Sequence, residues 1–310
     1  MPPLKYHAGQ IEVQQEANTV ALAEHLANWV GPVGEYAEQA DLILLSHAGA
    51  DGHLRFVTLA GPAPLAEIRG EGILGLRFPE GFRDLPAGRH GGLVINLSLA
   101  RRARINGTLL HTNRGYELEA DETFTLCRKY MAPSIASGER VIAGPASRQR
   151  LDGDGSGLAA FLAGAETAFV ASCAPGGAPD VAHRGGPPGF ITFDQAARSI
   201  AWPEFLGDGV FKSAGNIRAT GRCTLLVPDL ETGDAYEIAC RDASYTNERV
   251  SRKQRLDPLV QHKDPFPNQG RITATVDNVT FLTGVLHPRT RIEKALKVTS
   301  RSTVDEQAPQ

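Results

Sequence analysis

The chain has 310 residues, with 32 Lys and Arg against 35 Asp and Glu, for a formal net charge of −3. That length allows one large domain or two of ordinary size, each burying its own core. The charge balance excludes an overall positive field that would draw in nucleic acid or a membrane surface, so any phosphate binding has to be local.

Met1-Pro2-Pro3-Leu4-Lys5-Tyr6 leads into a polar stretch, and no run approaches the ~20 apolar residues of a membrane span, which predicts a cytoplasmic protein with no membrane partner. From Gln10 to Val30 the apolar residues Val13, Ala17, Val20, Ala23, Leu26 and Val30 recur mostly at helical spacing, predicting a helix that Gly31-Pro32 ends. The period then shortens. Leu42–Ser46 and Leu54–Leu59 read as strands around the turn Gly49-Ala50-Asp51-Gly52, and Gly72–Phe78, Gly92–Leu99 and Ala103–Leu110 continue in that style. Short strands with tight turns and few long helices point to a barrel or sandwich.

The second half repeats this order. Ala168-Phe169-Val170-Ala171-Ser172 with its Pro175-Gly176-Gly177 turn matches Ile43-Leu44-Leu45-Ser46, Cys223–Leu230 echoes Gly92–Leu99, and Ala235–Ala239 echoes the strand from Ala103. Recurrence in this order predicts an internal duplication. Ala132–Arg150 interrupts the pattern and places a boundary near residue 150, after which Gly153–Leu162 reads as a short helix beginning near Ser156. Arg249–Gly270 is polar, Arg271–Val276 and Val279–Leu286 are β-like, Arg291–Val298 adds a small helix, and the tail has little to bury. The expected organisation is an N-terminal helical segment (1–35), a first unit (36–150), a second unit with a C-terminal extension (151–298) and a disordered tail (299–310). The four cysteines, Cys127, Cys173, Cys223 and Cys240, form no paired motif and read as reduced thiols, with no metal site.

Chemistry concentrates in the second half. In Pro179–Phe190, a strand carries His183 and Arg184 to Gly185-Gly186, whose lack of side chains allows close backbone approach. An Arg at such a strand end can clamp a phosphate bidentately or can simply be solvated. Trp202-Pro203-Glu204-Phe205 can line a planar ring, and the segment from Phe211 begins a helix whose first turn offers N–H groups to an anion. Lys212 and Ser213 stand where they can help hold a phosphate; Asn216 can cap the helix or bond a ring. The alternative makes Phe211 and Ile217 core and Lys212 merely exposed.

Taken in order, Phe169–Ser172, Asp180–Phe190, Phe211–Ile217 and Asp229–Asp234 make the chain resemble the FMN-binding split-barrel superfamily of pyridoxamine 5'-phosphate oxidase, specifically its longer two-unit members of poorly defined activity. The resemblance runs from Tyr6 to about Tyr245. It implies a mainly β fold with short helices, built as a duplicated split β-barrel. It also implies FMN gripped through its phosphate by Arg184, Gly185 and the Lys212-Ser213 region, with the ring near His183 and Trp202–Phe205. Relatives form the site between two barrels, commonly in a homodimer; here both sides can come from one chain or from two. The sequence departs from the family at Ala182 (usually Ser), Lys212 (often Asn) and Cys240 (usually Gly).

Phe124–Tyr130 resembles a family segment that brings Cys127, Lys129 and Tyr130 to the second unit's pocket. Cys127 beside Arg128 and Lys129 can be a low-pKa thiolate or a structural cysteine in a helix. These features suggest an FMN-dependent oxidoreductase acting on a small molecule near His183, Trp202, Cys127 and Tyr130. His183 is the first choice of general acid because imidazole exchanges protons near neutral pH. The contrasting expectations are a non-enzymatic flavin-binding or flavin-sensing protein and a haem-handling protein using His47, His53, His90, His111 or His183. No GxGxxG follows a first strand, and Gly81–Gly92 fits a surface loop or a second phosphate-like pocket better than a Walker motif. Arg101, Arg102 and Arg104 read as a solvated basic patch on a hairpin. The first unit has Arg55–Pro62 where the second has its His-Arg-Gly, which predicts one complete site per chain.

Overall fold

The computed structural model describes residues 5–27, 33–61, 64–78, 85–131, 147–150, 157–248 and 265–289. Strands β1 (Leu42–Ala48), β2 (Leu54–Ala60), β3 (Ala66–Gly70), β4 (Ile73–Leu76), β5 (Gly88–Asn96), β6 (Arg101–Thr112) and β7 (Gly115–Thr125) form one antiparallel sheet in the order β2-β1-β5-β6-β7-β4-β3. After β8 (Ser147–Arg150), strands β9 (Thr167–Cys173), β10 (Pro179–Gly185), β11 (Thr192–Asp194), β12 (Ser199–Phe205), β13 (Cys223–Pro228), β14 (Ala235–Asn247) and β15 (Asn268–Thr283) repeat that order as β10-β9-β13-β14-β15-β12-β11. The duplication is therefore a repeat of topology. Neither seven-strand path closes among the described residues, so the expected barrels are open sheets here. β8 lies in the stretch read as a connector at the end of the first unit, and it pairs with β15 of the second sheet.

Among the described residues five short helices accompany the sheets: α1 (Ala8–Glu16), α2 (Val20–Ala27), α3 (Val33–Glu38), α4 (Leu158–Gly164) and α5 (Lys212–Thr220). The single helix expected from Gln10 is two, because Asn18 adopts a left-handed conformation (φ 55°) that its short polar side chain tolerates. Its Gly31-Pro32 stop lies outside the described residues, as do most of the connector, the helix expected over 291–298 and the tail. The two β runs expected after Gly270 are one strand, irregular where Asp277 has no partner in the ladder. Strands β3 and β7 were not anticipated; β7 alternates polar and apolar residues as a half-buried strand does, and it runs into the segment of Cys127, which is not helical.

The registers align the two units residue by residue. Thr58, Leu44, Leu93, Arg104 and Phe124 form one rung, and His183, Phe169, Leu226, Glu237 and Thr280 form its counterpart. Two further features agree: each sheet has its register shift two residues beyond Arg104 or Glu237, and the buried pair Val33/Ala37 of α3 precedes Leu44 by the same interval as Leu158/Leu162 of α4 precedes Phe169. Phe169 thus corresponds to Leu44, whereas Ala103 corresponds to Tyr236, one position from the sequence match with Ala235. In a strand one position reverses the face. Leu44 and Phe169 lie in a core shared by both units, with Phe56, Ile95, Ala171 and Leu226, whereas Ile43 and Val170 each point into their own unit's core. The sheets are thus joined face to face through an apolar layer, and what stands in that layer belongs to both.

Candidate functional site

Strand period brings Arg102, Arg104 and Asn106 of β6 onto the face that meets the second unit, where all three are buried. The expected solvated patch is corrected for Arg102 and Arg104: sheet-on-sheet packing turns a hairpin surface into an interior. Arg104 Nε donates to the Val181 carbonyl (3.0 Å), pairs with Asp180 (3.1 Å), and its guanidinium lies 5.0 Å from the Phe124 ring centre. Asn106 Nδ2 reaches Asp180 Oδ1 (3.1 Å) and Glu122 Oε1 (3.3 Å), and Glu122 in turn pairs with Lys212. This polar chain runs from β6 across to α5.

At its end lies a cleft of about 90 Å³, lined from the first unit by Arg102, Arg104, Cys127 and Tyr130 and from the second by His183, Arg184, Gly185, Glu204, Phe205, Asp208, Phe211, Lys212 and Ser213. Sequence motifs far apart in the chain meet here. That volume holds an anionic group or a few waters, at roughly 30 Å³ each, and is smaller than a whole flavin nucleotide.

Arg184 sits at the end of β10, its Nε donating to Glu204 Oε1 (2.7 Å) and its Nη1 to the His183 carbonyl (2.9 Å). Glu204 holds the guanidinium charged, raising its pKa against the cost of burial. Gly185 is required where it stands, because a Cβ there would overlap the Tyr130 carbonyl oxygen. Tyr130 itself has φ 63°, donates its hydroxyl to the Leu206 carbonyl (2.8 Å), and packs 5.5 Å from Phe205. Phe211, in left-handed conformation (φ 53°), turns the chain into α5 without a side-chain cap, so the helix start, whose residues Phe211, Lys212 and Ser213 line the cleft, has no side chain capping its first-turn N–H groups.

His183 accepts a hydrogen bond at Nδ1 from Arg102 Nη1 (2.9 Å). A guanidinium has no lone pair to offer, so the imidazole is the neutral Nε2–H tautomer. Burial first, then Arg102 and Arg184, push its pKa well below the usual histidine value. The expected proton exchange near neutral pH is therefore not what these surroundings give; His183 offers a hydrogen-bond donor instead. Arg102 also donates to the Lys129 carbonyl (3.0 Å) and lies 3.7 Å from Cys127 Sγ.

Three expected ring contacts are placed elsewhere. Trp202 is 1% exposed in the second unit's core, its Nε1 donating to Glu204 Oε1 (3.1 Å), and Pro203 lies on the opposite face of β12 and does not line the cleft. Asn216 is consumed by structure: its Oδ1 accepts from Gln10 (2.9 Å) and its Nδ2 donates to Ser172 (2.9 Å), fastening α1 to α5. Of the histidines considered for haem, His53 pairs with Asp277, His111 bonds the Leu85 carbonyl and His90 bonds the Gly88 carbonyl. No group of three metal-ligating side chains occurs among the described residues, and no described helix is long and apolar enough to cross a membrane. The four cysteines are free thiols; Cys223 and Cys240 stand opposite each other on β13 and β14, where their mutual hydrogen bond and burial push the Cys240 thiol up.

In the counterpart cleft, register puts Ala235 where Arg102 stands, Thr58 for His183, Leu59 for Arg184 and Ala60 for Gly185. Thr58 there donates to the Val285 carbonyl (2.8 Å), and Val285 and Leu286 belong to the shared core. The cationic cluster is thus built once.

No protein-family model matches the chain, and no curated protein does. Among solved structures, HupZ of Group A Streptococcus is 16% identical over 40% of this chain and 90% of its own, with a TM-score of 0.29. HutZ, the heme storage protein from Vibrio cholerae, is 13% identical over 42% and 94% (TM-score 0.29), and a pyridoxamine 5'-phosphate oxidase-related, FMN binding protein from Nostoc punctiforme is 14% identical over 43% and 85% (TM-score 0.29). Each of these three structures matches less than half of this chain, at 13% to 16% identity.

Proposed function

We propose that the cleft between the two units binds FMN through its phosphate and that the chain is an FMN-dependent oxidoreductase acting on a small molecule. One observation carries this reading: the strand end His183-Arg184-Gly185 and the uncapped helix start Phe211-Lys212-Ser213, both named by the sequence resemblance, converge on one buried, cation-rich cleft. Arginine, lysine, serine and free first-turn amides are the donor set of a phosphate site, so the residues present fit that end of the cofactor. Bound FMN would supply two-electron redox chemistry.

The chain's own groups would do the rest. Arg184, fixed by Glu204 and the His183 carbonyl, and Lys212, fixed by Glu122, present cations whose position is set before any ligand arrives. His183, neutral and orientated by Arg102, would donate from Nε2. Cys127 and Tyr130 approach from the first unit, so a single chain would supply both sides of the site.

The test is the visible spectrum of protein purified without added cofactor, with mass analysis of what denaturation releases. Flavin bands and released FMN are expected, and Arg184→Ala should weaken FMN binding on the order of tenfold or more, the worth of a charge-assisted hydrogen bond. Colourless protein that also fails to bind added FMN would overturn the proposal.

A further inference from the structure

Four cations reach the cleft, and three have a carboxylate: Arg104 with Asp180, Arg184 with Glu204, Lys212 with Glu122. Arg102 is 5% exposed, and among the described residues it pairs with none. Its contacts are an imidazole nitrogen, a backbone carbonyl and the Cys127 sulfur, which occupy some of its five N–H donors and bring no carboxylate to it. Asp208 acts on it only through space and acts on Arg184 as well. A buried cation without an anion is expensive, and buried charges are as a rule paired, so a cation that meets no carboxylate of its own chain is suited to an anionic ligand.

We propose that Arg102 is the receptor for a carboxylate on the substrate, which makes the substrate class small organic acids. This rests on the FMN reading in one respect: the cofactor's phosphate is assigned to Arg184, Lys212 and Ser213, leaving Arg102 for the second ligand. The geometry of the pair is apt. A guanidinium is a planar fork that matches a carboxylate bidentately, and Arg102 comes from β6 of the first unit while the phosphate donors come from the second, so the two anions would enter from opposite walls. His183 stands between them, its Nδ1 on Arg102 and its backbone carbonyl on Arg184, which links carboxylate binding to the ring orientation. Arg102 is then a specificity residue, and His183 carries its signal.

The experiment titrates the full chain calorimetrically with benzoate and, separately, with inorganic phosphate, with and without FMN, while the ring nitrogens of His183 are followed by NMR. Benzoate is expected to bind once per chain, in preference to phosphate, and to shift the His183 nitrogens. Arg102→Met should weaken benzoate at least about tenfold and weaken FMN less than Arg184→Ala does. Arg102→Lys, which keeps the charge and loses the fork, should weaken benzoate less, and it carries the test if the Met variant does not fold. Absence of benzoate binding to the wild-type chain, or equal affinity in the variants, overturns the proposal. Loss of FMN in Arg102→Met without any benzoate site also overturns it, by moving Arg102 to the cofactor's phosphate. Arg102-dependent benzoate binding in a chain that never takes FMN upholds the receptor and sinks the flavin reading alone.

Discussion

Asp180→Ala tests whether the two units are held together by the polar chain described above. The side chains of Arg104 and Asp180 are 6% and 2% exposed, so removing the carboxylate leaves a guanidinium in the inter-unit layer with the Val181 carbonyl and the Phe124 ring for company. Breaking a buried pair from one side costs about 3–5 kcal/mol, and Asn106 loses its bond to Asp180 as well. At about 2–4 °C per kcal/mol the melting temperature should drop by roughly 6 °C or more. Urea unfolding of Asp180→Ala, Arg104→Met and the double variant forms the cycle. The double variant removes both charges and should recover most of the loss, since an apolar replacement of a buried pair is often neutral. Arg55→Ala is the control at the counterpart position: its partner Glu237 keeps a hydrogen bond from the Phe56 amide, and Arg55 is 23% exposed, so about 1 kcal/mol is expected. A loss under about 1 kcal/mol for Asp180→Ala, or a double variant as unstable as the single, would refute the reasoning.

Burial holds His90 neutral, lowering its pKa to about 4, while the unfolded chain's histidine titrates near about 6.5. Its contribution is therefore complete above about pH 6.5 and is lost as pH falls toward 4, worth roughly 3 kcal/mol; urea midpoints of wild type and His90→Gln at pH 7 and 4.5 should converge, and a constant gap would exclude it. His183 acts in the same direction. Gly185→Ala forces the Tyr130 carbonyl to move, so a loss of about 1–3 kcal/mol should accompany weaker ligand binding; unchanged ligand affinity would show that the Tyr130 segment is no wall of the site. Calorimetry should give one FMN per chain, since the counterpart cleft has Ala235, Thr58 and Leu59 in place of Arg102, His183 and Arg184; two per chain would contradict that account.

The strands were legible where apolar runs are bounded by glycine turns, as at Leu42 and Phe169, because β propensity and turn chemistry are local. The duplication was legible as an order of elements, yet its register was not: Ile43 and Leu44 are both apolar because β1 is buried on both faces, so the sequence could not say which faces the other unit. The site was half legible. Arg184, Gly185, Lys212 and Ser213 come from contiguous motifs, whereas Arg102 and Arg104 look like surface until a second sheet covers them. Trp202 and Asn216 failed in the opposite sense. Both carry polar atoms suited to a ligand, and both spend them on their own fold, Trp202 on Glu204 and Asn216 on Gln10 and Ser172.

The exchanged ion pairs explain how a repeated fold yields a single site. Arg104 of the first unit meets Asp180 of the second, and at the corresponding positions Glu237 of the second meets Arg55 of the first, so the contacts swap partners as on an isologous interface while the charges are reversed. Two first units packed this way would set Arg104 against Arg55, and two second units would set Glu237 against Asp180. Both self-pairings bury like charges; only the mixed pair buries opposites. The interface thereby selects first against second, within a chain that already holds one of each. Once the halves are told apart, nothing requires both clefts to be kept: one gathers Arg102, His183 and Arg184, while in the other Ala235, Thr58 and Leu59 let Val285 and Leu286 complete the apolar layer. The filled cleft secures the unit pair, and the charged one keeps its cations.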